Sequence, residues 1–351
     1  MEKQIRIGIV GLGRAGRNMH MRELGGKEDL FKVVAVCDIE EDRRNAFAEE
    51  FGAKTYYKIE DMVGDPDIDV IDIATRSCDH FVHAKTALEA GKIVLLEKPI
   101  TMNYAQAKEL MEVAEKLSEK YGSRRLYVRH NRRFEAKFMQ VKSIIESGIL
   151  GEVYYIKRAT GNYSLRHDWQ TLSQYGGGQL LNWGPHLVDQ ALQFCGGSYK
   201  KMFADIRQVA ASGDCEDVVR ASFIGENGRM VDIEIGGASA IKPPEYTVYG
   251  SRGALVDLVD GKNFKIRYVE EGYEIEHPVA DIHTPKDAKF APDIQLPFVE
   301  EEREWDTNVL DHIWTYLYAS IREGKQFPIT NEEALKVMQT IDEIRETGKN
   351  K

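Results

Sequence analysis

Short apolar runs alternate with longer amphipathic segments over the first 130 residues of the chain. The apolar runs predict buried strands, and the segments between them predict helices. Strands are expected at 5–10, 31–37, 70–74, 93–96 and 126–129, with helices that include 40–51, 81–90 and 104–120. Because strand and helix alternate, the pattern predicts a parallel, doubly wound sheet of the α/β class.

From residue 151 onward, strand-like segments follow one another at 153–158, 201–209, 218–224, 230–235 and 246–249. Turn residues separate them, which predicts an open, mostly antiparallel sheet in an α+β arrangement. A helix is expected at 135–147, and two helices close the chain. The last one starts at Thr330 with Glu333 three residues later, the spacing of a capping box. Four prolines between 277 and 298 predict a long irregular loop.

A length of 351 residues suits two domains, and the change of pattern divides them into 1–130 and 131–351. Whether the last helix packs back on the first domain stays open. A formal charge of −10 argues against nonspecific binding to nucleic acid or to anionic membranes. The chain has no long apolar run of membrane-spanning length, and residues 1–4 lack the basic start of a signal peptide. Its four cysteines are scattered, which favours free thiols in the cytoplasm.

A glycine fingerprint, Gly11-Leu12-Gly13-Arg14-Ala15-Gly16, follows the first strand and opens a helical segment. In that context it predicts a turn that binds the pyrophosphate of a dinucleotide at a helix N-terminus. Gly11, Gly13, Arg14, Ala15 and Gly16 are therefore candidate cofactor residues.

Asp38 ends the second strand, 22 residues beyond Gly16. An acid at that place accepts hydrogen bonds from ribose hydroxyls and repels a 2′-phosphate, so we expect NAD(H) to be preferred over NADP(H). The alternative is that Asp38 only caps the following helix. Arg43 and Arg44 could serve a 2′-phosphate, but we expect them on a solvated helix face.

Glu97-Lys98-Pro99 follows the strand at 93–96. Pro99 favours an extended backbone at Lys98, and the carboxyl ends of strands are where open α/β sheets bind ligands. The alternative is a solvated lysine in a surface loop.

A second candidate segment runs from Gly176 to Asp189. Pro185 suits the start of a helix, which puts His186 in the first turn. The positive end of the helix dipole disfavours imidazolium there, and a neutral imidazole is what a general base requires. The alternative is a histidine with a purely structural role.

Read together, these motifs resemble those of the Gfo/Idh/MocA oxidoreductases over almost the whole chain. The dinucleotide turn, Asp38, Glu97-Lys98-Pro99, Asn131-Arg132-Arg133-Phe134 and the segment from Gly176 to Asp189 all match the family pattern. Thr75 and His80 match its T-P-N-x-x-H segment, although Arg76 and Ser77 replace the proline and asparagine. Asn182 stands where the family usually has aspartate. The resemblance implies that Lys98 and His186 are the catalytic pair, that Asn182 lines the same site, and that Thr75, His80, Glu97 and Lys98 lie beside the cofactor.

The resemblance further implies a Rossmann domain followed by a substrate-binding and oligomerisation domain on an open sheet. The implied reaction is hydride transfer between a nicotinamide cofactor and a secondary alcohol of a sugar, sugar derivative or cyclitol. One face of the sheet is expected to be an apolar patch that forms a homodimer or homotetramer. Two alternatives stay open: an NAD-dependent glycosidase that uses transient oxidation, and a non-enzymatic NAD(P)-binding regulator. The presence of both Lys98 and His186 argues against the regulator.

Further candidates for substrate contact are Arg132, at the end of the last strand of the first domain, and Tyr163, His167 and Trp169. The loop at 163–169 mixes aromatic and polar side chains, which suits a sugar ring but is equally compatible with an ordinary surface loop. Asp189 could orient His186 or be a plain surface acid. His80 and His83 lie one helical turn apart without a third ligand, so we expect no metal.

Overall fold

The computed structural model describes residues 4–280, 282, 294–307 and 313–349. Within that part of the chain, six parallel strands form a first sheet in the order β3-β2-β1-β4-β5-β6. The strands are β1 (Ile5–Val10), β2 (Phe31–Cys37), β3 (Lys54–Tyr56), β4 (Val70–Ile73), β5 (Ile93–Leu96) and β6 (Leu126–Val128). The predicted doubly wound parallel sheet is confirmed, with β3 as an additional edge strand that the apolar pattern missed.

Helices cover both faces of this sheet. A π-helix, Arg14–His20, continues as α1 (Met21–Leu24), followed by α2 (Glu41–Phe51), α3 (Ile59–Met62), a 3₁₀ turn (Ser77–Asp79), α4 (His80–Glu89) and α5 (Tyr104–Tyr121). The ends of α5 follow from local chemistry: the Asn103 side chain accepts a hydrogen bond from the Gln106 N–H at 2.9 Å, and Gly122 closes the helix at φ +63°. Side chains of α4 and α5 pack on one face, and those of α1 and α2 on the other.

Eight strands form the second sheet in the described residues, in the order β14-β13-β12-β11-β7-β10-β9-β8. Neighbours are antiparallel except β7 and β10, which run parallel. The strands are β7 (Val153–Gly161), β8 (Tyr199–Arg207), β9 (Val218–Gly225), β10 (Met230–Gly236), β11 (Tyr246–Gly250), β12 (Gly253–Asp257), β13 (Asn263–Val269) and β14 (Phe298–Glu304). The predicted open, mostly antiparallel sheet is confirmed, and it is three strands wider than expected.

Strand β14 was missed because it lacks an apolar pattern: five of its seven residues are charged. It pairs with β13, where Lys265 lies 3.0 Å from Glu300 across the strands. The irregular loop predicted at 277–298 lies for the most part outside the described residues, as do residues 1–3 of the N-terminal segment.

The helices of the second part are α6 (Ala136–Glu146), α7 (Gln179–Asn182), α8 (Gly184–Phe194), α9 (Ile313–Glu323) and α10 (Asn331–Lys349), with 3₁₀ turns at Asn131–Phe134, Trp169–Thr171 and Ser173–Tyr175. Helix α8 packs on the second sheet, and α10 packs against α8, α5 and β8. Helix α9 returns to the first sheet, where Trp314 is fully buried and its ring meets Phe31 edge-on. The predicted capping box of the last helix is confirmed: the Glu333 N–H donates to Thr330 Oγ1 at 3.1 Å, and the Thr330 N–H donates to Glu333 Oε2 at 2.9 Å.

The face of the second sheet opposite α8 is more polar than the expected apolar patch. Lys157 pairs with Glu234 at 2.6 Å, and the Tyr155 hydroxyl donates to Asp232 at 2.9 Å. The rings of Tyr155 and Tyr249 stack with centroids 5.5 Å apart. The face therefore combines cross-strand ion pairs with aromatic surface.

Candidate active site

The glycine fingerprint forms a close turn at the carboxyl edge of the first sheet. Gly11 has φ +95°, and a Cβ there would lie 2.7 Å from the Ala74 carbonyl oxygen. A Cβ on Gly16 would lie 2.1 Å from the Gly11 carbonyl oxygen, so both positions require glycine. A Cβ on Gly13 would meet no described atom within 4 Å, which leaves open space beside the N-terminus of the π-helix. Arg14 is exposed there and Ala15 follows it in the first turn.

Asp38 lies directly after β2, and both of its carboxylate oxygens accept backbone hydrogen bonds. Oδ2 accepts from the Leu12 N–H at 2.6 Å, and Oδ1 accepts from the Glu40 N–H at 2.9 Å. The N-cap of α2 is Glu40, so Asp38 stands before the cap and ties the glycine turn to the start of α2. Arg43 and Arg44 turn back toward Asp38: Arg43 Nη1 lies 3.8 Å from Oδ2, and Arg44 donates to the Asp38 carbonyl at 2.6 Å.

His80, a predicted cofactor residue, is buried and connects two loops of the sheet edge. Its Nδ1 lies 2.6 Å from the Pro99 carbonyl oxygen, and its Nε2 lies 3.2 Å from that of Thr75. Thr75 in turn lies 3.2 Å, through Oγ1, from Nδ1 of His83. His80 therefore positions the segments after β4 and β5. Among the described residues no group of three His, Cys, Asp or Glu side chains is arranged to hold a metal ion.

Lys98 follows β5, and the Lys98–Pro99 peptide bond is cis. Its ammonium donates to the main-chain carbonyl oxygen of Asn182 at 2.8 Å. Burial, with the positive charges of Arg132 and Arg129, lowers the pKa of Lys98 to about 8, although Glu97 opposes the shift.

His186 occupies the first turn of α8 and is buried. Burial, together with the charges of Lys98 and Arg132, holds the pKa of His186 well below its usual value. Its Nδ1 has no hydrogen-bond partner among the described residues, and its ring meets Trp183 edge-on at 6.0 Å. The imidazole is therefore neutral near neutral pH, as a proton acceptor must be.

Asn182 joins these groups to a cavity. Its side-chain oxygen lies 3.5 Å from Gln170 Nε2, while its main-chain oxygen holds Lys98. The Arg132 guanidinium stacks over the Trp183 ring at 4.4 Å and donates to Glu135 at 2.6 Å. A cavity of about 130 Å³ opens here, lined among others by Asn162, Ser164, Arg166, Gln170, Asn182 and Trp183.

The three aromatic and imidazole candidates of the loop at 162–169 lie outside this lining. Tyr163 is 58% exposed, His167 is exposed, and Trp169 is partly buried in a 3₁₀ turn. The lining side chains are the alternate residues Asn162, Ser164 and Arg166. In an extended backbone successive side chains point to opposite sides. An alternating pattern of polar residues at 162, 164 and 166 was therefore the sequence signal that could have identified the lining residues.

Asp189 fits neither of the roles considered for it. It is 2% exposed and forms a bidentate pair with Arg133, whose Nε donates to Oδ2 at 3.0 Å. Arg133 also pairs with Glu333 at 2.8 Å. The pair therefore joins the segment after β6 to α8 and α10.

Sequence reasoning missed a group of buried charges behind Lys98. Glu97, a predicted cofactor residue, directs Oε1 at His20 and Arg129 and accepts the Lys98 N–H through Oε2 at 3.0 Å. The only sequence signal was the presence of charged residues inside or directly after apolar strands, as at Asp72 and Arg129.

Two family models match the chain. Residues 5–124 match an oxidoreductase family with an NAD-binding Rossmann fold, and residues 138–256 match the GFO/IDH/MocA C-terminal domain. The chain belongs to the Gfo/Idh/MocA family of oxidoreductases. No described helix of this family member is long and apolar enough to cross a membrane.

Relatives and solved structures agree with the family over the full length. The oxidoreductase YdgJ of Escherichia coli is 28% identical, covering 100% of this chain and 98% of its own. The scyllo-inositol 2-dehydrogenase (NADP(+)) IolW of Bacillus subtilis is 24% identical, covering 99% and 94%. An NAD-binding protein from Listeria innocua superposes with a TM-score of 0.80 at 25% identity, over 99% of this chain and 95% of that one.

Proposed function

We propose that this family member transfers a hydride between nicotinamide and a secondary alcohol of a sugar, sugar derivative or cyclitol. The observation that carries the proposal is the hydrogen bond from the Lys98 ammonium to the Asn182 carbonyl, because Asn182 also lines a polar cavity and the charge of Lys98 acts on the buried His186. Lys98 comes from the edge of the first sheet, Asn182 is the last residue of α7, and His186 lies in the first turn of α8. The site thereby joins a cofactor edge to a substrate cavity.

The residues present fit a nicotinamide dinucleotide. The open space at Gly13 beside a helix N-terminus suits a pyrophosphate, and Asp38 has lone pairs left for ribose hydroxyls. When bound, the nicotinamide supplies the hydride acceptor or donor.

Within the proposal, His186 accepts the hydroxyl proton of the substrate because its imidazole is neutral. Lys98 remains largely protonated near neutral pH, with its pKa at about 8, and donates a hydrogen bond to the same oxygen. An ammonium there stabilises the negative charge that develops as the proton leaves. The Asn182 carbonyl fixes where the ammonium stands.

A neutral polyhydroxylated ring fits the lining of the cavity. Amide and hydroxyl groups of Asn162, Ser164, Gln170 and Gln179 supply donors and acceptors. Arg166 is already paired with Asp168 at 3.0 Å, so its charge is compensated. IolW, a relative by sequence, is named for a cyclitol substrate, which agrees with this substrate class.

We infer NAD(H) as the preferred cofactor, from the Asp38 carboxylate at the ribose position. IolW is named as an NADP(+) enzyme and Arg43 lies close to Asp38, so a direct comparison of both cofactors tests the inference. We also propose a cytoplasmic enzyme, from its four free cysteines, and a homodimer or homotetramer through the polar and aromatic face of the second sheet.

The testing experiment is a screen of NAD reduction across hexoses, hexosides, amino sugars and inositols, with the His186→Ala variant as control. Turnover by the wild type that falls sharply in the variant supports the proposal. Substrate conversion without accumulation of NADH would instead indicate transient oxidation. Equal rates in both proteins would refute the assigned chemistry.

A further inference from the structure

Charged side chains from one helix and from three neighbouring strands or strand ends of the first sheet meet at a buried point next to Lys98. His20 ends the π-helix, Asp72 lies in β4, Glu97 follows β5 and Arg129 follows β6. Glu23 of α1 adds a fifth charge by pairing with Arg129. We call these five residues the buried charge cluster. His20, Asp72 and Arg129 have no exposed surface, and Glu97 is 6% exposed.

His20 is held between two carboxylates. Its Nδ1 lies 2.6 Å from Asp72 Oδ2, and its Nε2 lies 2.9 Å from Glu97 Oε1. Carboxylates only accept hydrogen bonds, so both ring nitrogens must donate, and the ring that does so is an imidazolium. Burial and the positive charge of Arg129 oppose the charged form, yet the two acids outweigh them and raise the pKa of His20 to about 9.

Glu97 connects this imidazolium to Lys98. Its Oε2 accepts the main-chain N–H of Lys98 at 3.0 Å, and its negative charge acts against the burial that lowers the pKa of Lys98. The Glu97 carboxylate therefore holds the main chain of Lys98 and favours the charged form of its ammonium, which the Asn182 carbonyl holds at its other end.

We propose that His20 is a positioning residue of the active site: as a buried imidazolium between Asp72 and Glu97, it fixes the carboxylate that places Lys98. His20 lies on the helix that starts at the glycine turn, so the same helix serves both the cofactor edge and Lys98. The inference rests on the proposed function only through the role of Lys98 in turnover.

Because of Arg129, the effect of His20 on the active site can be tested apart from an effect on folding. Its Nη1 donates to Glu97 Oε1 at 2.6 Å, so Glu97 keeps a buried cationic partner when His20 is replaced. We therefore expect variants of His20 to fold. The charged and titratable groups that act on Lys98 are Glu97, Arg129, Arg132, Arg14 and His186, and none of them is altered in the test.

Each of two substitutions keeps one of the two hydrogen bonds of His20 and removes the other. In His20→Asn the amide nitrogen takes the place of Nδ1 and keeps the Asp72 contact; in His20→Gln it takes the place of Nε2 and keeps the Glu97 contact. Both remove the positive charge. We expect kcat to fall roughly tenfold or more in His20→Asn and less in His20→Gln, because only the former removes the His20 contact from Glu97 and leaves the side chain of Arg129 as the remaining partner of Oε1.

The pH profile supplies a readout that a structural role would not move. Without the imidazolium, the charge of Glu97 is less compensated and Lys98 holds its proton more tightly. The alkaline limb of kcat/KM should therefore move upward by about half a unit or more in both variants. NADH binding by both variants serves as the control for folding. The proposal is overturned if the alkaline limb of kcat/KM stays in place or moves downward. It is also overturned if kcat of His20→Gln is as low as that of His20→Asn.

A measurement without turnover keeps the two proposals distinguishable. In protein labelled with ¹³C-lysine, the Cε signal of Lys98 is assigned by its absence in Lys98→Met and titrated by NMR. A midpoint that rises in His20→Asn supports the inference even if no substrate is found. An identical midpoint in both proteins overturns it, whatever the fate of the dehydrogenase assignment.

Discussion

The charge on His20 makes the stability of the fold depend on pH. An unfolded histidine has a pKa near 6.5, whereas that of His20 in the folded protein is raised to about 9. This difference corresponds to about 3 kcal/mol of folding free energy at 25 °C. Because the folded pKa is the higher one, the contribution is complete below about pH 6.5 and is lost as the pH rises through about 9.

His20→Gln removes this contribution, so the free energy of unfolding of the wild type minus that of the variant should shrink by up to about 3 kcal/mol between pH 6 and pH 9.5. The measurement is urea unfolding of both proteins at matched concentration, since self-association also adds stability. Fluorescence is a suitable signal because Trp314 packs against His20, with ring centroids 5.8 Å apart.

Lys98 contributes in the opposite direction. Its pKa is lowered to about 8, so the folded state loses an unfavourable buried charge as the pH rises above that value. Repeating the comparison in a Lys98→Met background removes this opposing change. The free energies of unfolding with and without the His20→Gln change are thus compared in the wild-type and the Lys98→Met background. If their difference stays constant with pH in both backgrounds, His20 is neutral in the folded protein and the reasoning is refuted.

Four further predictions follow from the site. Lys98→Ala and His186→Ala should each lower kcat by roughly 10²–10⁴ and leave NADH binding intact, with the double variant little worse than either; near wild-type turnover in a single variant contradicts the pairing. Asn182→Asp adds a negative charge four residues before His186, so the acidic limb of kcat/KM, expected below about 6.5, should move upward by roughly half a unit; an unmoved limb shows that residue 182 is not coupled to the base. Fluorescence titration should give tighter binding of NADH than of NADPH, and Asp38→Ala should narrow that gap; equal affinities in the wild type refute the role of Asp38. Light scattering should give a dimer or tetramer, which Lys157→Glu weakens by placing two like charges across β7 and β10; a monomer at micromolar concentration counts against the interface.

Apolar runs located the strands that are buried on both faces. The boundaries of β1, β2 and β5 follow from the sequence because these interior parallel strands are apolar apart from Arg6 and Lys32, each the second residue of its strand. Strands β3 and β14 lie at sheet edges, where solvent replaces one neighbour and the apolar pattern disappears. Their positions depend on partner strands, which a local pattern does not contain.

The sequence placed Lys98 directly after a strand and His186 in the first turn of a helix, and the structure has both residues at those positions. The sequence did not identify the partner of Glu97. The contact of His20 with Asp72 spans 52 positions along the chain, and it depends on the direction in which a π-helix presents its last residue. A sequence of alternating apolar and polar positions does not specify that direction.

The return of α9 to the first sheet has a consequence for how the chain acquires its structure during synthesis. Trp314 covers Phe31 and His20 and donates through Nε1 to Glu23 at 3.0 Å. That surface of the first sheet's helical layer remains uncovered until the ribosome has synthesised α9. A fragment that ends near residue 130 should therefore expose the apolar surface around Phe31 and aggregate more readily than the full chain.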